Sequence, residues 1–367
     1  DYTICFIMVM VLEKQVLAMQ LTKTNKNDIL VSVICTAYNH KKYIKQCLDS
    51  LVMQKANFNF EIIIYDDCST DGTREIVREY ADKYPNLIRT ILPKCNIAQT
   101  EGFCKVNQMI FEKIKGKYHA GCEGDDYWID EYKLQKQVDF LETHPDYSIC
   151  FHPVKVVYEG FDFEGTDEIY PTQKMIKSGT TFELLLKTNL IQTTSVVYRW
   201  MFNQTNTRQY FLDISPGDWF ISLLHAKEGK IKMLPEIMAV YRRHPQGVWS
   251  DSIKSFDKLI LSWGLHLANF YYSVYKNITN SSQAYLQDMF LPNLKSIINT
   301  YYHNKKFKEL QTIEERYPTY LDMISLDEKF DERLDKFKTK YKKYKKLSRI
   351  ALAVIIVQMF VIVAFVV

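Results

Sequence analysis

Three acidic residues within four positions, Glu123-Gly124-Asp125-Asp126, are the part of this sequence best suited to chemistry. Carboxylates this close repel one another, and a divalent cation is the simplest partner that keeps them ionised together. Ligands that are all oxygen favour a hard ion, Mg²⁺ or Mn²⁺, which can bridge to a substrate diphosphate. The plainer alternative is a solvated acidic turn. A second acidic pair opens the segment Asp66-Asp67-Cys68-Ser69-Thr70-Asp71-Gly72. Here Asp67 can accept hydrogen bonds from a base or ribose, whereas Asp66, Ser69 and Asp71 also suit a turn that caps the next helix. Tyr38 offers a ring to lie against a base. Far along the chain, Asp218 stands between a Pro-Gly break and an apolar helix. Beside Trp219 it can be desolvated enough to serve as a general base, or it can simply cap the helix. Arg199, Arg242, Arg243 and His244 are candidates to reach a diphosphate, since the guanidinium fork matches phosphate oxygens.

These residues need a frame that brings them together. ILVSVIC reads as a buried strand, and HKKYIKQCLDSLVMQ as a helix with Ile44, Leu48 and Leu51 on one face. FEIIIYDD is the next strand, and a helix follows over 73–83. LIRTIL, FCKVNQMIFEKI and KYHAGC continue the alternation. Such βαβα order predicts an α/β fold with a mostly parallel sheet flanked by helices, which binds ligands beyond the carboxyl ends of its strands. The first strand ends in Thr36-Ala37-Tyr38-Asn39, the second in Asp66-Asp67, and the one near Tyr118 in the acid triplet. Three strand ends therefore converge on one polar edge. Further on come a helix (FELLLKTNL), a strand (QTTSVVYR), the helix FISLLHA and one strand, KMLPEIMAVYRRH. From 255 to 347 the pattern is helical.

Composition removes several function classes. The 367 residues carry a net charge of +4, but eight Lys/Arg without a single Asp/Glu lie between Lys336 and Arg349, so the rest sums to −4. A nucleic-acid binder would spread basic residues over a folded face. There is no G-x-G-x-x-G and no G-x-x-x-x-G-K-[ST], which excludes the usual dinucleotide and P-loop sites. All eight cysteines fall in the first 150 residues without a C-x-x-C pair, a pattern of reduced buried thiols.

The ends suggest a membrane. Residues 350–367 form an unbroken apolar run whose only strongly polar member is Gln358, preceded by KTKYKKYKKLSR. At about 1.5 Å per residue it would extend roughly 27 Å, nearly a hydrocarbon core. Basic residues stay on the cytoplasmic side, so the expectation is an anchored protein on the cytoplasmic face of the cell membrane. A helix that packs on a partner is the alternative. The apolar stretch 2–12 is too short to span and follows no basic residue, unlike a secretory signal.

Together these segments resemble the family 2 glycosyltransferases, with the nucleotide-diphospho-sugar transferase (GT-A) fold. VSVICTAYNHKKYIKQCLDSLVMQ is similar to that family's first strand and helix, IIIYDDCSTDGT to its nucleotide-binding turn, and CEGDDYW to its D-x-D region. FELLLKTNLIQTTSVVYR, GDWFISLLHA and YRRHPQGVWS resemble the acceptor half of bacterial enzymes that build capsule or lipopolysaccharide. The resemblance covers a catalytic domain at 29–250, ahead of the helical region 255–347 and the anchor 350–367. It implies that Thr36, Tyr38, Asn39, Asp66, Asp67, Asp125, Arg242 and His244 bind a nucleotide sugar. It further implies that Glu123, Asp125 and Asp126 hold Mg²⁺ or Mn²⁺, and that Asp218 is the catalytic base. Glu123 stands where many members have the first Asp of the motif, which leaves open which acid touches the metal. The implied reaction is an inverting displacement from a UDP-sugar to a hydroxyl of a glycan or lipid-linked oligosaccharide, in surface polysaccharide synthesis. Two rivals keep the fold. A sugar nucleotidyltransferase would need a glycine-rich loop where this chain has TAYNHKK, and an inactive membrane scaffold would not retain Asp67, Asp125, Asp126 and Asp218.

Overall fold

Continuous apolar strands imply cover on both faces, and the first strand has it. The computed structural model describes residues 28–160, 168–176, 181–202, 214–247, 255–321 and 323–324. In chain order, β1 (Val31–Ala37), α1 (Ile44–Val52), β2 (Phe60–Asp66), α2 (Thr73–Lys83) and β3 (Ile88–Ile91) come first. They are followed by α3 (Ile97–Thr100), α4 (Phe103–Phe111), β4 (Tyr118–Glu123), β5 (Tyr127–Trp128), α5 (Lys133–Thr143) and β6 (Tyr147–Phe151). Next are β7 (Val154–Tyr158), β8 (Glu168–Tyr170), α6 (Gln173–Ile176), α7 (Phe182–Lys187) and β9 (Val197–Arg199). Then come α8 (Gly217–Glu228), β10 (Lys230–Met233), β11 (Ala239–Arg243) and the long helix α9 (Phe256–Ser273), with further helices beyond it. Ser255 caps α9 by accepting the Lys258 N–H.

Alternate residues of β1 serve opposite layers, as a period of two demands. Val31, Val33 and Cys35 pack with Ile44, Cys47, Leu48 and Leu51 of α1, the face predicted from the helical spacing. Ile34 points the other way, with Ile63 and Tyr65 of β2, against Val106, Ile110 and Phe111 of α4. Each such fully buried aliphatic side chain contributes about 1.5–3 kcal/mol.

The larger sheet runs β10-β6-β9-β4-β1-β2-β3. Its β4-β1-β2-β3 portion is parallel, as expected, while β9 inserts antiparallel between β4 and β6. A second sheet, β5-β11-β7-β8, was not legible in the sequence. The expected single strand KMLPEIMAVYRRH is in fact two. It breaks at Leu234-Pro235, where proline supplies no N–H to a ladder, so β10 joins β6 in the large sheet and β11 crosses to the small one.

Seven cysteines among the described residues are free, with Cys35, Cys47, Cys122 and Cys150 buried and Cys95 exposed. The chain divides into two compact units, Asp1–Phe290 and Leu291–Val367. In the second, Leu294, Ile297, Ile298 and Tyr301 of one helix and Leu310 and Ile313 of the next are buried. No helix among the described residues is long and apolar enough to cross a membrane. The run 350–367, its basic preface and the stretch 2–12 lie outside the described residues.

Candidate active site

Strand register brings the acidic ends together. Ala37 pairs with Asp66 and Thr36 with both Tyr65 and Glu123, so β2, β1 and β4 end side by side. The loops after β1 and β2 are then tied to each other. Asn39, at φ 56, donates its N–H to Ser69 Oγ and accepts the Thr70 N–H on its amide oxygen. Asp71 accepts the Lys41 N–H at 2.9 Å and both the N–H and hydroxyl of Thr73, so it shapes the turn that leads into α2. Tyr38 stays 40% exposed on this rim.

The two acids after β2 are engaged by the protein itself. Asp66 pairs with Arg74 Nε at 2.7 Å and accepts the Ser69 N–H. Asp67, only 5% exposed, accepts the Tyr65 hydroxyl and the backbone N–H groups of Ile97 and Ala98. It fastens the start of α3 to the sheet.

The second acidic turn is more strained electrostatically. Gly124 donates its N–H to Thr36 O at 2.8 Å. A Cβ at this glycine would stand 2.9 Å from His40 Nδ1 and 3.1 Å from Ala37 Cβ, so no larger residue fits without movement. Asp126, fully buried, takes the Arg242 N–H on Oδ1 at 2.8 Å while its Oδ2 has no partner. Burial, then the charges of Asp125 and Glu123, pushes its carboxyl well above the usual range. Glu123 moves the same way through burial and the charges of Asp125 and Asp218. Asp125 behaves oppositely. Burial works against its charge, but the hydrogen bond from His244 Nε2 at 3.1 Å outweighs it, together with His40, 3.7 Å away, whenever that ring is protonated, and the carboxyl is held low.

Asp218 reaches this cluster from the other half of the chain. It lies in the first turn of α8, whose start is fixed to α7 by the Trp219 indole N–H donating to Leu185 O. Asn189, in the turn after α7, donates to its Oδ2 at 3.1 Å. Burial raises the Asp218 carboxyl above its ordinary value against the help of nearby N–H groups. Its field is felt at Glu123, which places the two acids within electrostatic range.

Comparison with known proteins bears on what this edge is. Residues 32–203 match the description "Glycosyl transferase family 2". These residues belong to glycosyl transferase family 2. An uncharacterized protein of Mycobacterium tuberculosis is 42% identical over 222 residues, 60% of this chain and 61% of that protein, so the chain spans about three fifths of that relative's length. A UDP-Glc:alpha-D-GlcNAc-diphosphoundecaprenol beta-1,3-glucosyltransferase of Escherichia coli is 37% identical over 114 residues, 31% of this chain and 42% of the enzyme. Among solved structures, a mannosyltransferase of Pyrobaculum calidifontis in complex with GDP-Man and Mn²⁺ aligns over 86% of this chain and 90% of that one, with TM-score 0.47 and 14% sequence identity. The fold is GT-A-like: an α/β layer with a mostly parallel sheet, then a helical region.

The family 2 domain's acid turn suits a divalent cation. Among the described residues no three His, Cys, Asp or Glu already form a metal cage. Mg²⁺ and Mn²⁺ held by one or two carboxylates plus substrate phosphates need no such cage. The unpartnered Asp126 oxygen and the mutual repulsion at Glu123 and Asp126 are what such an ion would relieve.

The arginines depart from expectation. Arg199 is in register with Tyr118, at the opposite end of β4 from Glu123, and donates to Tyr147 O, Leu141 O and the Tyr118 hydroxyl. Arg243 bonds the Tyr158 hydroxyl on the second sheet. Arg242 does reach the acid turn, but its guanidinium is buried and bonded to protein oxygens rather than open to a diphosphate. These side chains sit on elements whose sheet membership the sequence did not reveal. Sequence reasoning also missed His40, Asn189 and Glu159. His40 stood in TAYNHKK, a segment read for its lack of glycine. The polar KTN ending of the helix before Asp218 was the available signal for Asn189.

Proposed function

We propose that the chain transfers a sugar from a UDP-sugar to a hydroxyl of a glycan or lipid-linked glycan, with inversion, in surface polysaccharide synthesis. The observation that carries this reading is Asp218, a buried carboxylate with raised proton affinity that Asn189 holds within electrostatic range of the strand-end acid cluster. In this reaction Asp218 takes the proton of the acceptor hydroxyl. The acceptor oxygen bonds the anomeric carbon as the bond from that carbon to the diphosphate breaks. Asn189 holds the Asp218 carboxylate in place. A bound Mg²⁺ or Mn²⁺ would supply charge stabilisation to the leaving diphosphate. Asp125, kept ionised by His244 and His40, and Glu123 or Asp126 would hold it. Thr36 and Tyr38, at the open rim, receive the nucleoside, while Asn39, Asp66 and Asp67 shape that wall. The Escherichia coli relative's UDP-Glc donor and diphosphoundecaprenol-linked acceptor support a lipid-linked acceptor here. The basic cluster and apolar run 350–367 support work at the cytoplasmic membrane face.

Calorimetric titration with UDP tests the reading. Binding should require Mn²⁺ or Mg²⁺, vanish with EDTA and fall below detection in Asp125→Ala. A folded wild-type protein that binds no nucleotide diphosphate would sink it in favour of the scaffold.

A further inference from the structure

The Arg242 side chain is 3% exposed, although a charged arginine is rarely so buried without partners. Each of its three nitrogens is used. Nε donates to Glu159 Oε1 at 2.8 Å, Nη2 to Gln46 Oε1 at 2.7 Å, and Nη1 to the backbone oxygen of Asp125. Its Cζ lies over the rings of both Tyr43 and Tyr127, 4.6 and 5.0 Å from their centroids. Its own N–H holds Asp126 Oδ1. Two residues on, just past the end of β11, His244 holds the Asp125 side chain. The last residues of β11 and the one just after it thus grip the acid turn at its backbone and at two of its carboxylates.

We propose that Arg242, held by Glu159 and Gln46, is a positioning residue that sets where the Asp125 and Asp126 carboxylates point, and that it does not bind the donor diphosphate. The argument is one of inventory. A guanidinium has five N–H donors in a fixed fork, and a site that meant it for phosphate would leave one edge open to solvent. Here the edge toward the acid turn closes on the Asp125 carbonyl, and the other closes on Glu159. Glu159 adds nothing else to the site: its remaining bond is to Lys42 Nζ at 3.3 Å. Gln46, on α1, ties the same fork to the helix that follows β1. The clamp therefore connects both sheets and α1 at the residue whose carboxylate must be placed. This inference rests on the transferase reading of the Glu123–Asp126 turn.

The test uses the full chain with Arg242→Lys, Glu159→Gln and the double variant. UDP and UMP binding are titrated calorimetrically across Mn²⁺ concentrations, and thermal melting is followed in EDTA. Removing a partner that orients a metal-binding carboxylate costs roughly 10–100-fold in metal affinity. The Mn²⁺ concentration for half-maximal UDP binding should therefore rise by about tenfold or more in both single variants. At saturating Mn²⁺ the preference for UDP over UMP should be unchanged. The double variant should be no worse than Arg242→Lys alone, because both changes break one clamp. Glu159 is partly exposed, so its variant keeps the test open if Arg242→Lys folds poorly. Loss of the UDP-over-UMP preference in Arg242→Lys would overturn the proposal and make the arginine a phosphate ligand. A lower melting temperature with unchanged Mn²⁺ demand would overturn it too, leaving a merely structural arginine. If wild type shows no Mn²⁺-dependent UDP binding, the transferase reading fails and the clamp with it. If wild type binds and Glu159→Gln matches it, the clamp alone fails.

Discussion

Asp218→Asn is expected to abolish measurable sugar transfer and to leave Mn²⁺-dependent UDP affinity unchanged. The substitution is isosteric, and an amide oxygen at 218 can still accept the Asn189 Nδ2–H that now meets Oδ2. Geometry around the start of α8 therefore survives, since the Trp219–Leu185 bond is independent of the change. What is lost is the ability to take a proton. A positioned general base contributes roughly 10²–10⁴-fold, which sets the expected fall in kcat. Burial raises the wild-type Asp218 carboxyl above its ordinary value, so the base is protonated over a wider acid range than a surface Asp. The kcat profile of wild type should accordingly fall on its acid side at a pH above the ordinary carboxylate range. Radiolabelled donor turnover and UDP calorimetry on the same preparation check both halves. Lost UDP affinity in a folded Asp218→Asn protein would mean that this acid shapes the donor pocket rather than taking the proton.

How much of this was legible depends on whether local pattern or long-range pairing decided each feature. The α/β alternation, the α1 face of Ile44, Leu48 and Leu51, and helix α2 over 73–83 follow from periodicity, which a chain carries locally. Convergence of Thr36, Asp66 and Glu123 followed from adjacency of parallel strand ends, and the register bears it out. The second sheet did not follow. Two-residue β5 and three-residue β8 are too short for an alternation to register, and β11 lies in the other sheet from β10, with Pro235 between them unable to donate to a ladder. That missed crossing explains the arginines. An Arg at the end of a strand reads as reaching outward. Arg242 instead sits where the small sheet meets the acid turn, and its partners Gln46 and Glu159 lie 196 and 83 residues away. No local signal encodes such a contact. His40 was hidden for a related reason: its 3.7 Å approach to Asp125 exists only because β1 and β4 are neighbours.

His225→Phe is expected to reverse its effect on stability as the pH falls. His225 is buried among Tyr198, Trp200 and Phe202, with ring centroids 4.5, 5.4 and 5.2 Å away. Its Nδ1–H donates to Ile221 O, while Nε2 has no partner. Burial lowers its pKa from 6.5 to about 4, so the folded protein keeps the ring neutral where the unfolded chain would charge it. The unfolded state then binds the extra proton between those two values, and stability drains away as pH falls through that window. The slope is about 1.4 kcal/mol per pH unit for one such group, hence about 2 kcal/mol by pH ~5. Above pH ~7 both states are neutral there, and Phe loses only the bond to Ile221 O, about 1 kcal/mol. The variant should thus be slightly less stable than wild type at neutral pH and more stable near pH ~5. His119 and His152, each lowered to about 3 by burial, drain stability over the same range. The raised carboxyls of Glu123 and Asp126 act with the opposite sign, because the folded state takes up their protons first. His152 and the two carboxyls are common to both proteins and cancel in the difference, whereas His119, lowered in part by the charge of His225, is relieved of that share in the variant. Urea unfolding free energies at a series of pH values give that difference directly. Parallel curves for wild type and His225→Phe would show that the ring titrates normally in the fold.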